Sequence, residues 1–177
     1  MILTGYEIIK QMSYKNIIIT PYNNNQLNPN SYDLRLHNEL LVYTDTFLDF
    51  KKENRTETIL IPESGFVIRP GTLYLGRTVE WTETYHMAPK IEGKSSVGRK
   101  GLSIHVTAGF GDIGFKGYWV LEISSIHPVI IYPNMKICQI QYSTIKGNYG
   151  AGYQGKYQNQ DKILPCKSYL DEEKGDL

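Results

Sequence analysis

The chain has 177 residues, the length of one domain with room for an extra segment. Its 19 lysines and arginines nearly balance 18 aspartates and glutamates, so the net charge of +1 gives no general attraction to nucleic acid or anionic membranes. The apolar runs fall short of the ~20 residues that cross a bilayer, and Glu7 and Lys10 interrupt the N-terminal stretch where a signal peptide is apolar. Two cysteines are too few for a disulfide scaffold or a closed zinc site. We therefore expect a soluble, cytoplasmic domain with no nucleic-acid or membrane partner.

The first predicted element is a short helix near the N-terminus. Thr4 and Glu7 stand three positions apart, as in a capping box, ahead of the apolar Ile8 and Met12. We expect this helix to end before Lys15.

The rest of the chain has the pattern of short strands, because glycines and prolines, which number 16 and 8 in the whole chain, keep the apolar segments short. Nine strands are predicted, over residues 16–20, 31–36, 40–44, 58–61, 73–79, 103–106, 119–124, 129–132 and 136–142. Neither an internal repeat nor alternation with long helices appears, which disfavours solenoids and Rossmann-type sheets. The pattern predicts an all-β domain: a sandwich, a jelly roll or a distorted barrel.

The composition changes near residue 146. Residues 146–156 are mostly glycine and tyrosine, which bury little surface, so we expect a mobile arm there. From Asp171 the tail is charged, and we expect it to be loose. The sequence thus divides into a β-domain, residues 1–145, and a C-terminal arm with its tail, residues 146–177.

One candidate ligand loop runs from Lys94 to Arg99. It resembles the end of a phosphate-binding P-loop, but Ala88 stands where that motif needs its first glycine. Two cations and the hydroxyls of Ser95 and Ser96 on a glycine-flanked loop still suit an anionic ligand. A solvated polar turn is the alternative interpretation.

A second candidate region combines a glycine-rich loop, residues 107–117, with the strand that follows it. The glycines allow close approach either of a ligand or of packed backbone. Glu122 lies on this strand, on the face opposite Trp119, Leu121 and Ile123. A buried carboxyl group could take and give a proton near neutral pH, whereas an edge carboxylate in water would have no such role.

The four histidines do not indicate a zinc site. They lack the H-x-E and P-C-x-x-C spacing of zinc-dependent nucleobase deaminases. His105 lies on a predicted strand, where we expect a structural histidine with its hydrogen bonds satisfied.

Six segments together resemble the motif series of the dCTP deaminase and dUTPase superfamily over about residues 1–160. They are residues 30–36, 93–102, 107–117, 121–123, 135–140 and 153–160. Glu122 in a Leu-Glu-aliphatic strand and a Lys-Tyr-x-x-Gln ending at Gln160 resemble the deaminase branch. The dUTPase branch ends in a glycine-rich arm with arginine and Ser/Thr, which residues 147–155 do not reproduce.

The resemblance implies a distorted jelly-roll β-barrel of the dUTPase-like type, with a short N-terminal helix. It also implies a homotrimer with active sites between subunits, and Mg²⁺ bound through the nucleotide triphosphate, without zinc. The substrate would be dCTP or dUTP, and dTTP feedback inhibition is a family expectation.

The resemblance also implies roles for individual residues. Glu122 would be the general acid/base; Ser95 and the backbone of Ala108 would hold the water and the amino group; and Arg99 would orient the water and stabilise developing charge. Asp112 would accept a hydrogen bond from the sugar 3′-hydroxyl. The other substrate-binding residues would be Thr107 and, around the triphosphate, Lys94, Ser96, Tyr153, Lys156 and Gln160.

The sequence departs from the family pattern in places. Gly111 stands where isoleucine or valine is usual, Ile113 where proline or alanine is usual, and Lys94 where arginine is common. Residues 107–110 resemble bifunctional members, which carry dCTP on to dUMP and pyrophosphate, so the product, dUTP or dUMP, stays open. The alternative functions are a dUTPase and a non-catalytic β-sandwich binding module.

Overall fold

The predicted N-terminal helix is present as α1 (Gly5–Ser13) in the computed structural model, which describes residues 1–105 and 107–172. Thr4 is its N-cap, and its Oγ1 accepts a hydrogen bond from the backbone N–H of Glu7 at 3.2 Å. Ile8 is completely buried, so the apolar face of α1 covers the β-domain.

Ten strands form the body of the described chain. They are β1 (Ile17–Thr20), β2 (Tyr32–Tyr43), β3 (Thr56–Leu60), β4 (Phe66–Ile68), β5 (Tyr74–Thr84), β6 (Met87–Gly93), β7 (Leu102–Ile104), β8 (Lys116–Ser125), β9 (Val129–Ile131) and β10 (Lys136–Thr144). Short helical turns are a 3-10 turn at Asn24–Gln26, α2 (Ser95–Gly98) and α3 (Tyr169–Glu172). The prediction of a mainly β domain is confirmed.

The strands pair antiparallel in an eight-stranded sheet and a separate β4-β9 pair. The main order is β6-β10-β2-β5-β8-β7, with β1 added to β5 and β3 added to β2. Register shifts bend the two long central strands, β2 between Leu36 and Leu40 and β5 between Arg77 and Trp81. These bends let the sheet curve into a nearly closed barrel around an apolar core.

Two strands were not predicted, and two predicted strands are one. β6 was missed because it contains Pro89, but β6 lies at the edge of the sheet order and pairs with β10, where proline is tolerated. β4 has only three residues. Residues 31–36 and 40–44 belong to a single β2, because the register shift accommodates the polar residues between Leu36 and Leu40. The last residue of predicted strand 103–106 lies outside the described residues.

The C-terminal arm packs against the barrel of its own chain. The backbone N–H of Tyr153 donates to the carbonyl oxygen of Ile113 at 2.6 Å, and the N–H of Tyr118 donates to Gln160 at 2.9 Å. The prediction of a loose tail is wrong for Asp171, which belongs to α3, and residues 173–177 lie outside the described residues. Within residues 1–105 and 107–172, no helix is long and apolar enough to span a membrane.

Candidate active site

A cavity of about 440 Å³ opens where β8, the loop after β7 and the C-terminal arm meet. Several of the predicted site residues line it: Ala108, Asp112, Glu122, Tyr153 and Gln160. The glycine-rich loop, the candidate acid/base and the arm, which are separate in the sequence, therefore share one concave site.

Glu122 points into this cavity because of the alternation of β8. Trp119, Leu121 and Ile123 face the barrel interior and are buried, which leaves Glu122 on the opposite face. Its side chain is 37% exposed, so the expected burial is not found in the single chain. The physical reason is that this face of β8 is covered by the loop and arm only in part. The carboxylate nevertheless lines the cleft, where it is partly exposed to solvent.

The buried side chain of His105 contacts the Glu122 carboxylate. Its Nδ1 lies 2.8 Å from Oε2 of Glu122, and its side chain is only 4% exposed. The backbone of His105 adopts φ 51°, a left-handed conformation that few side chains other than asparagine, aspartate and histidine favour. Its Nε2 is buried with no hydrogen-bond partner among the described residues. His105 therefore contacts the candidate acid/base as well as the fold.

The glycine-rich loop is fixed by hydrogen bonds to β6. The N–H of Ile91 donates to Gly109 at 2.8 Å, and the N–H of Gly111 donates to Pro89 at 3.0 Å. A Cβ at position 111 would lie 2.4 Å from Cη2 of Trp119. A side chain at this position would collide with the buried indole, so the loop needs glycine here.

The loop side chains have different positions. Ala108 and Asp112 are exposed at the cavity, whereas Thr107 is exposed but is not among the described lining residues. Phe115 forms part of the floor, with its ring 4.7 Å from that of Trp119 and 6.0 Å from that of Tyr153. The cavity thus combines an aromatic floor with the carboxylates of Asp112 and Glu122, the mixture of apolar surface and a few polar groups that is typical of small-molecule sites.

The arm residues predicted to bind the triphosphate already have partners within the chain. Gln160 is buried, and its Nε2 donates to the carbonyl oxygen of Tyr118 at 2.7 Å. The Lys156 ammonium contacts the carboxylate of Asp171 in α3. That hydrogen bond raises the pKa of Lys156 above its ordinary value.

The α2 loop lies away from this cavity. Ser95, Ser96 and Arg99 are exposed, and none of them is among the described residues that line the Glu122 site. Lys94 occupies the N-cap position of α2 without a side-chain capping hydrogen bond, and its Nζ lies 2.5 Å from Oδ1 of the buried Asp33. A single chain therefore does not bring the predicted water-binding groups of this loop to Glu122.

The described residues, with the gap at 106, contain no group of three or more His, Cys, Asp and Glu side chains suited to a metal ion. Zinc independence stays a prediction.

Comparison with known proteins assigns the family. A dCTP deaminase-like family model matches residues 2–145. The chain belongs to the dCTP deaminase-like family. Among its relatives in this family, the "dCTP deaminase, dUMP-forming" of Hathewaya histolytica is 56% identical over 171 residues, covering 97% of this chain and 99% of that protein. The protein of the same description from Clostridium beijerinckii is 56% identical over 174 residues, covering 98% of this chain and all of that one (100%).

A solved structure supports the β-barrel fold of this dCTP deaminase-like chain. The crystal structure of 2′-deoxycytidine 5′-triphosphate deaminase from Agrobacterium tumefaciens superposes with a TM-score of 0.63 at 20% identity. The match covers 80% of this chain and 47% of that one. At that identity the similarity concerns the fold alone.

Sequence reasoning about this dCTP deaminase-like chain missed some residues of the site. His105 was interpreted as structural, since nothing in the sequence reveals that β7 and β8 place it beside Glu122. Tyr43, at the end of β2, and Cys166, beyond the last motif, also line the cavity. Neither has a local pattern that would have indicated it.

Proposed function

We propose that this chain is a dCTP deaminase that releases dUMP, in the supply of pyrimidine deoxynucleotides. The observation that carries the proposal is Glu122, which lies in a cleft beside His105, Ala108 and Asp112. Relatives described as dUMP-forming and 56% identical across nearly the whole chain support both the substrate and the product.

In the first step, water adds to C4 of the cytosine ring while the Glu122 carboxylate takes one proton from it. The carboxyl group passes this proton to N3, and then moves the proton of the added hydroxyl to the amino group, which leaves as ammonia. The products of this step are dUTP and ammonia. In the second step, water cleaves dUTP between the α- and β-phosphates and gives dUMP and pyrophosphate.

Two further groups would orient the water in the first step. We assign one of them to the backbone of Ala108, an exposed residue that lines the cavity. The other consists of Ser95 and Arg99, which would come from a neighbouring subunit of a homotrimer. Their exposure outside the Glu122 cavity and the incomplete cover over Glu122 support this arrangement.

The nucleotide would be held along the loop and the arm. Asp112 would accept a hydrogen bond from the 3′-hydroxyl, Phe115 and Tyr153 would provide an apolar surface near the sugar, and Thr107 would contact the nucleotide. The proposed triphosphate ligands are Lys94, Ser96, Tyr153, Lys156 and Gln160. Mg²⁺ would enter as part of the substrate, bound to phosphate oxygens, which it favours as ligands. Inhibition by dTTP at the same site is part of the proposal.

The direct test is incubation with dCTP and Mg²⁺ followed by separation of the nucleotides. We expect dUMP without accumulated dUTP. Accumulated dUTP would contradict the coupled second step, and the absence of any uracil nucleotide would contradict the deaminase.

Glu122→Gln tests the role of the carboxylate. The amide keeps the shape but cannot shuttle protons, so turnover of dCTP should fall by about 10²- to 10⁴-fold. Glu63→Gln, at an exposed turn, is the matched control and should retain full activity. Near wild-type deamination by Glu122→Gln would refute the role of Glu122. Rapid dUTP hydrolysis with indifference to dCTP would instead identify a dUTPase.

A further inference from the structure

The segment after Gln160 forms one wall of the candidate active site. We define this C-terminal strap as residues 161–172. Three of its residues line the same cavity as Glu122: Leu164, Pro165 and Cys166. The backbone N–H of Cys166 donates to the hydroxyl of Tyr43 at 2.9 Å, and that of Lys167 donates to the hydroxyl of Tyr157 at 3.0 Å. These hydrogen bonds attach the strap to the rim of the cavity.

The strap ends in an ion pair with a residue of the arm. The carboxylate of Asp171 contacts the ammonium of Lys156, and the two side chains are 33% and 25% exposed. The backbone carbonyl of Lys156 also accepts from Nζ of Lys167 at 3.5 Å, so strap and arm meet at both backbone and side chain. The Lys156 ammonium that the triphosphate would use is thus neutralised by a carboxylate of the same chain.

We propose that Asp171 sets the affinity for the triphosphate by competing with it for Lys156. The proposal rests on the function proposed above. Binding of Mg-dCTP replaces the Lys156–Asp171 ion pair by a Lys156–phosphate contact. The stabilisation that the ion pair gave to the free chain is lost on binding, so the net free energy of binding is less favourable by that amount. A ligand without phosphates does not reach Lys156 and leaves the ion pair intact. Asp171 therefore weakens the binding of dCTP but not of deoxycytidine.

Asp171→Asn tests the competition, because the amide removes the charge and keeps the shape. Affinity is measured by calorimetry with Mg-dCTP on chains that also carry Glu122→Gln, so that the ligand is not consumed. A partly exposed ion pair predicts a Kd for Mg-dCTP that is lower by about two- to fivefold. Asp161→Asn, at an exposed carboxylate of the same strap, should leave the Kd unchanged.

Two further measurements separate competition from a change of shape. The inhibition constant of deoxycytidine, measured with Glu122 intact, should be the same for the wild-type chain and for Asp171→Asn. In a Lys156→Gln background, Asp171→Asn should have no effect on the Kd for Mg-dCTP, because the ammonium for which both anions compete is gone.

Several outcomes would overturn the proposal. The first is an unchanged or higher Kd of Asp171→Asn for Mg-dCTP. The second is an equal change in the inhibition constant of deoxycytidine. The third is an effect of Asp171→Asn on the Kd for Mg-dCTP that persists in the Lys156→Gln background. Failure of the proposed function is separate, since it would be seen as wild-type chain that forms no uracil nucleotide from dCTP. Calorimetry reports the binding of Mg-dCTP and not its turnover, so it decides the competition without requiring catalysis, and equal thermal midpoints of the variants exclude a folding defect.

Discussion

His105 shows how one side chain can connect the fold to the proposed chemistry. It follows β7 in a left-handed conformation, and its ring contacts Glu122 of β8. When Nδ1 carries hydrogen, it donates to Oε2 of Glu122 and restricts the carboxylate to one orientation. A general acid/base must be held within a fraction of an ångström of its substrate, so we infer that His105 is a positioning residue.

His105→Ala should lower kcat on the order of 100-fold and change KM less, because Glu122 loses the donor that orients it. His105→Asn should restore part of the activity, since asparagine tolerates the left-handed backbone and offers a side-chain N–H. Steady-state kinetics with dCTP measure both variants, and exposed His127→Ala is the control. Equal losses of activity and stability in the alanine and asparagine variants would mean that His105 supports only the fold.

At the scale of elements, a buried carboxylate joins β2 to β5. Glu80 of β5 is completely buried, and it accepts hydrogen bonds from the backbone N–H of Arg35 at 2.8 Å and from Nε of Arg35 at 2.6 Å. Nε2 of Gln26 donates a third hydrogen bond to the Glu80 carboxylate at 2.9 Å. Arg35 belongs to the first motif of the series, residues 30–36, so part of that motif maintains the barrel.

Glu80→Gln should destabilise the chain by about 3 kcal/mol or more, because it leaves the Arg35 guanidinium without its countercharge and turns an amide N–H toward donors. Urea unfolding followed by fluorescence gives the change in free energy. Glu57→Gln, at an exposed position of β3, is the control and should leave the midpoint nearly unchanged. A loss below about 1 kcal/mol would show that the barrel does not depend on this carboxylate.

The sequence predicted elements that depend on local pattern. The Thr4 cap located α1, and the alternation of β8 indicated correctly that Glu122 lies opposite Trp119 and Leu121. The local sequence pattern did not predict β6, because proline opposes strand formation unless the strand is known to lie at an edge.

Contacts between distant segments were beyond prediction from local pattern. The His105–Glu122 pair depends on the register in which Ile104 opposes Ile123. The ion pair of Lys156 depends on how the strap folds back, and no periodicity encodes that path. The motif series therefore indicated candidate residues, five of which line the cavity in the single chain, and the three-dimensional structure was needed to find their partners.

At the scale of the whole molecule, the proposed catalytic groups lie on two surfaces of one chain. Glu122 and Asp112 share one cavity, whereas Ser95 and Arg99 are exposed on and beside α2. A homotrimer would bring the α2 loop of one subunit to the Glu122 cavity of the next, and cyclic symmetry would repeat that interface around the ring. Each site would then take residues from two chains.

Mixing two inactive variants tests this arrangement. Chains with Glu122→Gln and chains with Ser95→Ala should each be nearly inactive alone. They are co-expressed with two different affinity tags, and trimers that contain both kinds of chain are isolated through the two tags. Around the ring of such a trimer, about one third of the interfaces pair an intact Glu122 with an intact Ser95 of the next chain. We therefore expect about one third of wild-type dCTP turnover in the mixed trimers.

The matched control pairs Glu122→Gln with Asp112→Asn. Both residues line the cavity of the same chain, so every site in that mixture carries one of the two defects and its activity should stay at the level of the separate variants. Recovery in the first mixture and not in the second requires that the water-orienting groups come from a neighbouring subunit. If both mixtures remained inactive although mixed trimers had formed, Ser95 and Glu122 would have to act within one chain, and the exposed α2 loop would have to move to the cavity of its own chain.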